Sequence, residues 1–571
     1  MGSLLNVQTA GTAGWVSGAV ALSTTSSRVP SSNGKAPCNW SGWLMSWLVG
    51  ISSIIGTAGP TWAQNVPKVV HFPTTQSLDS SRPQATGRSS SNPAKRAQAS
   101  SPGAVQAVDA GVRPDETSGA VAAKEPSSKD ELFGLGGDAA AAKEPASKDE
   151  LFGLDAGDER AREKPAMGAI SWGGYAEEKV ARSYDDPSHW SRILTRAQVA
   201  AKQDLGGGIA WKATGRLDYD AAYGALNFYP PPVQQDQRLN FFVEETYLDL
   251  SRGDWDLRLG RQNIIWGEVV GAFVADVVSA KDLREFILPD FDVVRIPQWA
   301  ARAEYFKGDY HAELIWIPVP SYDRIGYPGA DFYSFPPVPP GVNSVIEGEQ
   351  KPSWSLGNTN AGARGSVLKG GWDVSVFYYR SVDAQQAFQR TSIIPGPTPT
   401  YVLQPTHFRI WQSGGTASKD LGFLTVKGEA TYTNGRMFSS LDPTNPTGLV
   451  AQNTVDYALG ADIPMQRDAR LNLQVLQRVF TNHDPSTIFD RAETAVSALI
   501  ALPSIRRVQP EVLVIQSTNR NDRLLSLKAK WSVVQNLKLI AGADIFHGPP
   551  LGLFGQFDNS DRVYVDAVYS F

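Results

Sequence analysis

A transmembrane antiparallel β-barrel is the fold class that this 571-residue sequence predicts, and three observations carry it. Charged residues make up only 19%, while Gly supplies 52 residues and Trp 16, a balance poorer in charge than the ~25% of soluble domains. No apolar run reaches the ~18 residues that a spanning helix needs. Segment after segment of about ten residues instead alternates apolar and polar side chains, as a wall between lipid and an aqueous lumen requires. A net charge of -5 provides no basic field for holding nucleic acid phosphates.

The N-terminus reads as a signal peptide over residues 1–63. Arg28 and Lys35 are its only charges before an apolar stretch from Trp43 to Ile55, and Thr61-Trp62-Ala63 offers small residues for cleavage after Ala63. A membrane anchor is the alternative, less favoured because the stretch is short and contains Gly50, Ser52 and Ser53. Cys38, the only cysteine, precedes the cleavage point, so the mature chain is expected to carry no thiol, disulfide or cysteine metal site.

Residues 64–167 are rich in Ser, Ala, Pro and Gly and poor in aromatics. Such a stretch buries too little apolar surface to offset its ordering entropy and is expected to be a disordered periplasmic tail. Within it, the segment from Ala123 to Leu135 recurs with one substitution as Ala142 to Leu154, giving two copies of a KEPxSKDELFGL repeat. Leu132, Phe133 and Leu135, and then Leu151, Phe152 and Leu154, are candidate docking residues for a periplasmic protein with a matching groove. A tandem duplication without a ligand explains the repeat equally well.

From residue 168 to 571 the period of two dominates. Trp211, Ala213, Gly215, Leu217 and Tyr219 alternate with Lys212, Thr214, Arg216, Asp218 and Asp220. Similar runs occupy 424–432, 455–462, 525–533 and 537–545. Connections between them alternate long and short: Ala222 to Gln237 and then Gly253-Asp254, Gly267 to Pro297 and then Gly308-Asp309. Long loops on one side and tight turns on the other are the outer-membrane pattern. Counting Ala492 to Leu502 as a strand gives eighteen, an even number that returns both ends of the barrel to the same side. Sixteen is the alternative, because 172–182 and 408–416 are weakly patterned.

The final strand places Val563, Val565, Ala567, Tyr569 and Phe571 on one face. It looks like the terminal signal, with Tyr569 and Phe571 as its aromatics, that the barrel-assembly machinery of Gram-negative bacteria recognises. A second likeness lies in Leu257 to Gln262, Trp266-Gly267, Asp282 to Glu285 and Ile296-Pro297. Together these resemble a proteobacterial outer-membrane porin-like family, catalogued mainly as a domain of unknown function, over about 169–571. The resemblance implies a passive or partner-coupled channel in the outer membrane, discussed for export or for apolar substrates.

The segment Gly267 to Pro297 is too apolar to remain wet, with Phe273, Val274, Val277, Val278, Leu283, Phe286 and Ile287. It is expected to fold inward and narrow a pore for small solutes, with Ser279 capping a short helix through Phe286. The pore candidates are Asp256, Arg258, Phe273, Asp282, Arg284, Phe286, Lys528 and Lys530. Strict alternation aims Arg261 at lipid, a cost of ~2–4 kcal/mol at the midplane, which a bulge at Gly260 or a place at the rim relieves. Basic and acidic lumen residues balance, which favours cross-strand bracing over an ion filter. The sequence holds no Gly-x-Ser-x-Gly elbow, Walker loop or His-Glu-x-x-His. His311 lies beside Glu313 on a lumen face but no partnered Ser accompanies it, so neither an enzyme, a cofactor nor a metal is read from the sequence. The other function class is a structural or adhesive barrel whose tail recruits a periplasmic partner. Association of three barrels as a homotrimer is left open.

Overall fold

The computed structural model describes residues 168–269 and 273–571; the expected signal peptide, tail and repeats lie outside these described residues. Eighteen strands form one closed antiparallel sheet. They are β1 (Ile170–Ser183), β2 (His189–Gly206), β3 (Ile209–Asp220), β4 (Leu239–Arg252), β5 (Trp255–Gln262), β6 (Gln298–Lys307), β7 (Tyr310–Val319), β8 (Asn360–Lys369) and β9 (Trp372–Val382). The remainder are β10 (Arg409–Asp420), β11 (Thr425–Ser439), β12 (Leu449–Pro464), β13 (Arg470–Phe480), β14 (Ala492–Ala501), β15 (Val508–Ser517), β16 (Arg523–Val534), β17 (Leu537–His547) and β18 (Arg562–Ser570). Each strand pairs with its neighbour in sequence, and β18 closes the ring on β1 with Val565 opposite Val180. The transmembrane antiparallel barrel expected from the alternation is the fold observed, with eighteen strands rather than sixteen. Both weakly patterned stretches are strands, β1 and β10.

Alternation dictates which side chains meet lipid. Leu217, Tyr219, Phe241, Val243, Leu314, Val376, Leu459, Trp531 and Val565 are exposed on the outside. Their chain neighbours Arg216, Asp218, Glu313, Ser375 and Asp566 are buried inside. Closure leaves no free sheet edge, so every strand finds two partners for its backbone groups.

No bulge lies at Gly260. The β4–β5 ladder runs in register through it, with Tyr247 opposite Gly260 and Thr246 opposite Arg261. Gly260 adopts φ 135°, and a Cβ there would run into the carbonyl oxygen of Thr246, so only glycine fits. The register break is instead on the other side of β4, between Ala213 and Gly215 of β3. There two successive residues turn to the wall's interior: Glu244 pairs with Arg216 at 2.8 Å and Glu245 with Lys212 at 2.6 Å. Arg261 is one residue from the end of β5, at the rim where the long connection begins.

Candidate functional site

The connection 263–297 is built from the end of β5 and is anchored by the wall from several directions. Trp266, wholly buried, donates its indole N–H to Glu313 of β7 at 3.2 Å and packs against Phe377 and Tyr379 of β9. Glu429 of β11, four residues above a tight turn, accepts the backbone N–H groups of Glu268, Val269 and Ala275. Thr431 donates to the carbonyl of Val274 at 2.8 Å, and Thr416 of β10 to the Glu268 carboxylate at 2.7 Å. Wall side chains thus satisfy backbone groups that a loop in water would leave to solvent.

Farther along, Glu285 forms ion pairs with Arg192 of β2 at 3.1 Å and with Arg562 of β18 at 2.9 Å. Arg192 and Arg562 keep second partners, Asp220 and Asp544. Burial opposes ionisation of Glu285, but Arg192, Lys179 and Arg562 outweigh it and hold the carboxyl well below its ordinary range. Next to it, Phe286 takes φ 55° and sets its ring among Phe546, Phe554 and Phe557. Ile287, Leu288 and Phe291 face Leu499, Leu513, Ile515 and Leu524 across a small apolar cavity.

β2 and β11 are nine places apart in a closed ring of eighteen, which puts Arg192 and Glu429 on opposite walls. One segment touches both. On its β2 side a polar cavity of about 30 Å³ is lined by Arg192, Arg196, Arg216, Gln237, Asp282 and Arg284. Gln237 is 3% exposed, and neither of its amide atoms finds a hydrogen-bond partner.

The helix expected from Ser279 to Phe286 is not present. Ala280 and Lys281 pair as a short strand with Ile296 and Arg295, and the N–H of Asp282 goes to the carbonyl of Val294. Ser279 donates its hydroxyl to Ile264 rather than capping a helix. A ribbon closed by residues 295–296 supplies the backbone partners that a two-turn helix would have supplied itself, and the positive φ of Phe286 ends any helical course. The helix that does form is four residues, Phe291–Val294.

Asp282 and Arg284 pair with each other at 2.7 Å and form ion pairs with neighbouring loops through Asp236 and Arg324, while Arg284 also reaches Asn240 at the start of β4 at 3.5 Å. Burial pushes the Asp282 carboxyl up, but the Arg284 guanidinium beside it prevails and holds it at about 2. Phe273 stacks edge-on against Phe291 and carries Lys281 over its face. The remaining candidates stand on the wall in the half toward the tight turns. Arg258 pairs with Asp249 at 2.6 Å above Tyr247, Lys530 with Glu511 at 2.9 Å, Asp256 lies opposite Glu304, and Lys528 lies opposite Glu511. The Arg258–Asp249 and Lys530–Glu511 pairs and the Lys528–Glu511 juxtaposition are cross-strand braces of the kind expected from balanced charge, whereas Asp256 opposite Glu304 is a like-charge pair. Sequence reading missed Arg192, Glu313, Glu429 and Arg562. Alternation put Glu313 and Glu429 in the lumen but left Arg192 and Arg562 unassigned, and nothing local marks which wall residue a distant loop will reach.

No family model matches the chain, and no curated protein does. Among solved structures the chain is similar to OccAB2 of Acinetobacter baumannii, with TM-score 0.43 and 11% identity over 72% of this chain and 99% of that one. It is similar to an anion-selective porin from Comamonas acidovorans, with TM-score 0.34 and 12% identity over 71% and 100%. A third is OmpF of Salmonella typhi in complex with daunomycin, with TM-score 0.36 and 10% identity over 71% and 98%.

Proposed function

We propose that the chain is an outer-membrane channel for small solutes, narrowed by the inward-folded segment 267–297. One observation carries the reading: a single connection hydrogen-bonds Glu429 on one wall and ion-pairs Arg192 and Arg562 on the opposite one, so it crosses the lumen. An eighteen-strand barrel without such a crossing would hold an open aqueous pore. The solute path lies beside the segment, along the polar flank lined by Arg196, Arg216, Asp282 and Arg284, a setting that suits small polar solutes over apolar ones. Weak ion selectivity follows, because the wall charges pair across strands. Residues 1–63 act as the export signal, Tyr569 and Phe571 serve recognition by the assembly machinery, and 64–167 form the periplasmic tail. The family likeness noted for 169–571 belongs to the same reading.

The test is single-channel recording of the purified full chain in planar bilayers. The parent should show small or intermittent conductance. Deleting Phe273 to Phe286 should raise it several-fold while circular dichroism retains its strand signal. Unaltered conductance after the deletion overturns the constriction, and no conductance in either protein overturns the channel.

A further inference from the structure

Two carboxylates sit directly opposite one another on neighbouring strands of the lumen wall: Glu304 of β6 and Glu313 of β7. Like charges in that arrangement destabilise a sheet, and both side chains are almost wholly buried. His311, two residues before Glu313 and so on the same face, aims Nε2 at Glu304 from 3.1 Å. Its other nitrogen, Nδ1, lies 3.2 Å from the Ser366 hydroxyl, a contact that fixes the ring. One donor atom from each of Glu304, His311 and Glu313 lies within 4.8 Å of the other two.

Arg302 stands beside both carboxylates at 2.9 Å. Its Nε and the Glu313 Oε1 nonetheless lack hydrogen-bond alignment, leaving that oxygen buried with no hydrogen bond. Asp373 Oδ1 is in the same condition, and Asp373 lies within electrostatic reach of His311, Arg364 and Glu268. The two buried carboxylates of Glu304 and Glu313 thus share the single guanidinium of Arg302, which leaves net negative charge at the pair for a further cation to offset.

We propose that Glu304, His311 and Glu313 form a binding site for a first-row divalent metal ion, with Zn²⁺ as its best fit. One imidazole and two carboxylates are the mixed nitrogen and oxygen donors that Zn²⁺ accepts, and three protein ligands leave a fourth position for water. Ser366 supplies the contact beyond the ligands that orients the imidazole. The sequence puts His311 beside Glu313 but gives no third ligand; only the pairing of β6 with β7 brings Glu304 into reach. Trp266 rests on Glu313, so the metal would also stiffen the root of the inward segment, a consequence that rests on the channel reading. The site itself does not.

The experiment is calorimetric titration of Zn²⁺ into the chelator-treated full chain in detergent, with Co²⁺ absorption as a second readout. One ion per chain is expected, with a visible Co²⁺ band of four-coordinate character. His311→Ala should weaken binding at least about 100-fold and Ser366→Ala by about 10-fold, the range for loss of an orienting contact. His483→Ala, in an outer loop, should leave it unchanged. Variants that keep the mass shift between boiled and unboiled gels count as folded barrels. Failure of the parent to bind, or binding that survives His311→Ala, overturns the proposal. Should His311→Ala not assemble, Glu304→Gln and Ser366→Ala decide it by the same two readouts.

Discussion

Two long connections of this barrel, 263–297 and 383–408, solve the same problem in opposite ways. In the second, 387–394 pairs with 400–406, and 343–346 adds a parallel strand, so most backbone groups are satisfied locally. Its turn, Pro395 to Pro399, contains three prolines, and its tip exposes Ile393 and Ile394. The first makes only a two-pair ribbon of its own and borrows its partners from the wall: Glu429, Thr431, Glu313, Arg192 and Arg562. A loop that closes most of its backbone hydrogen bonds in a small sheet needs few from the wall. A loop that does not is held where fixed side chains complete it.

The sharpest way to break this contrast is paired deletion. Removing Phe273 to Phe286 should raise conductance several-fold, whereas removing Phe388 to Gln404 should leave single-channel conductance unchanged. Equal effects would mean that both connections constrict, and the comparison would be lost.

A smaller effect is expected from Glu429→Ala. Three backbone N–H groups lose a charged acceptor, at a cost of about 2–3 kcal/mol, so the segment should release intermittently and appear as frequent transitions to a larger conductance level. Glu285→Gln should do less. Arg192 and Arg562 each keep another carboxylate, so the loss is on the order of 1–2 kcal/mol, read as a modest rise in open-level occupancy. Comparison of the two variants reports which wall carries more of the anchorage.

The smallest effect concerns pH. Asp282 is held at about 2 and Glu285 also sits below its ordinary range. Groups depressed in this way contribute attachment that is fully present above the ordinary carboxylate values of about 4 and is lost as the pH falls through the depressed ones. The attachment made through Asp282 and Glu285 should therefore be constant from pH 8 to 5, and conductance should rise in strongly acidic solution as these two carboxylates protonate. A step at higher pH would point to a group other than these two.

Much of the molecule was legible without coordinates. The alternation at Trp211 to Asp220 gave strand, facing and even parity, because a period of two is a local property of the chain. The even count identified 492–502 as a strand before any pairing was known, and the observed strand is Ala492–Ala501. The surplus of Val and Phe in 267–297 was readable as apolar surface in need of cover. The helix at 279–286 was misread because Ser279 and its followers do fit a helix locally; residues 295–296, more than a dozen positions away, offered better partners. Arg261 was rightly flagged as awkward, yet the bulge lies on β4 at Glu244 and Glu245, where paired lumen cations draw both carboxylates inward.

What the sequence determined by itself, then, is what repeats along the chain: barrel class, an even strand number of eighteen or sixteen, which face of each strand meets lipid, and which loop is rich in apolar residues. Tertiary structure alone decided which residues meet across the lumen. Glu429, Arg192 and Arg562 look like any other lumen charges until closure of the ring sets them on opposite walls, and Glu304 joins His311 and Glu313 only when β6 pairs with β7. The physical reason is range: periodicity is fixed by neighbours two residues apart, while a contact across a barrel depends on the register of every strand between.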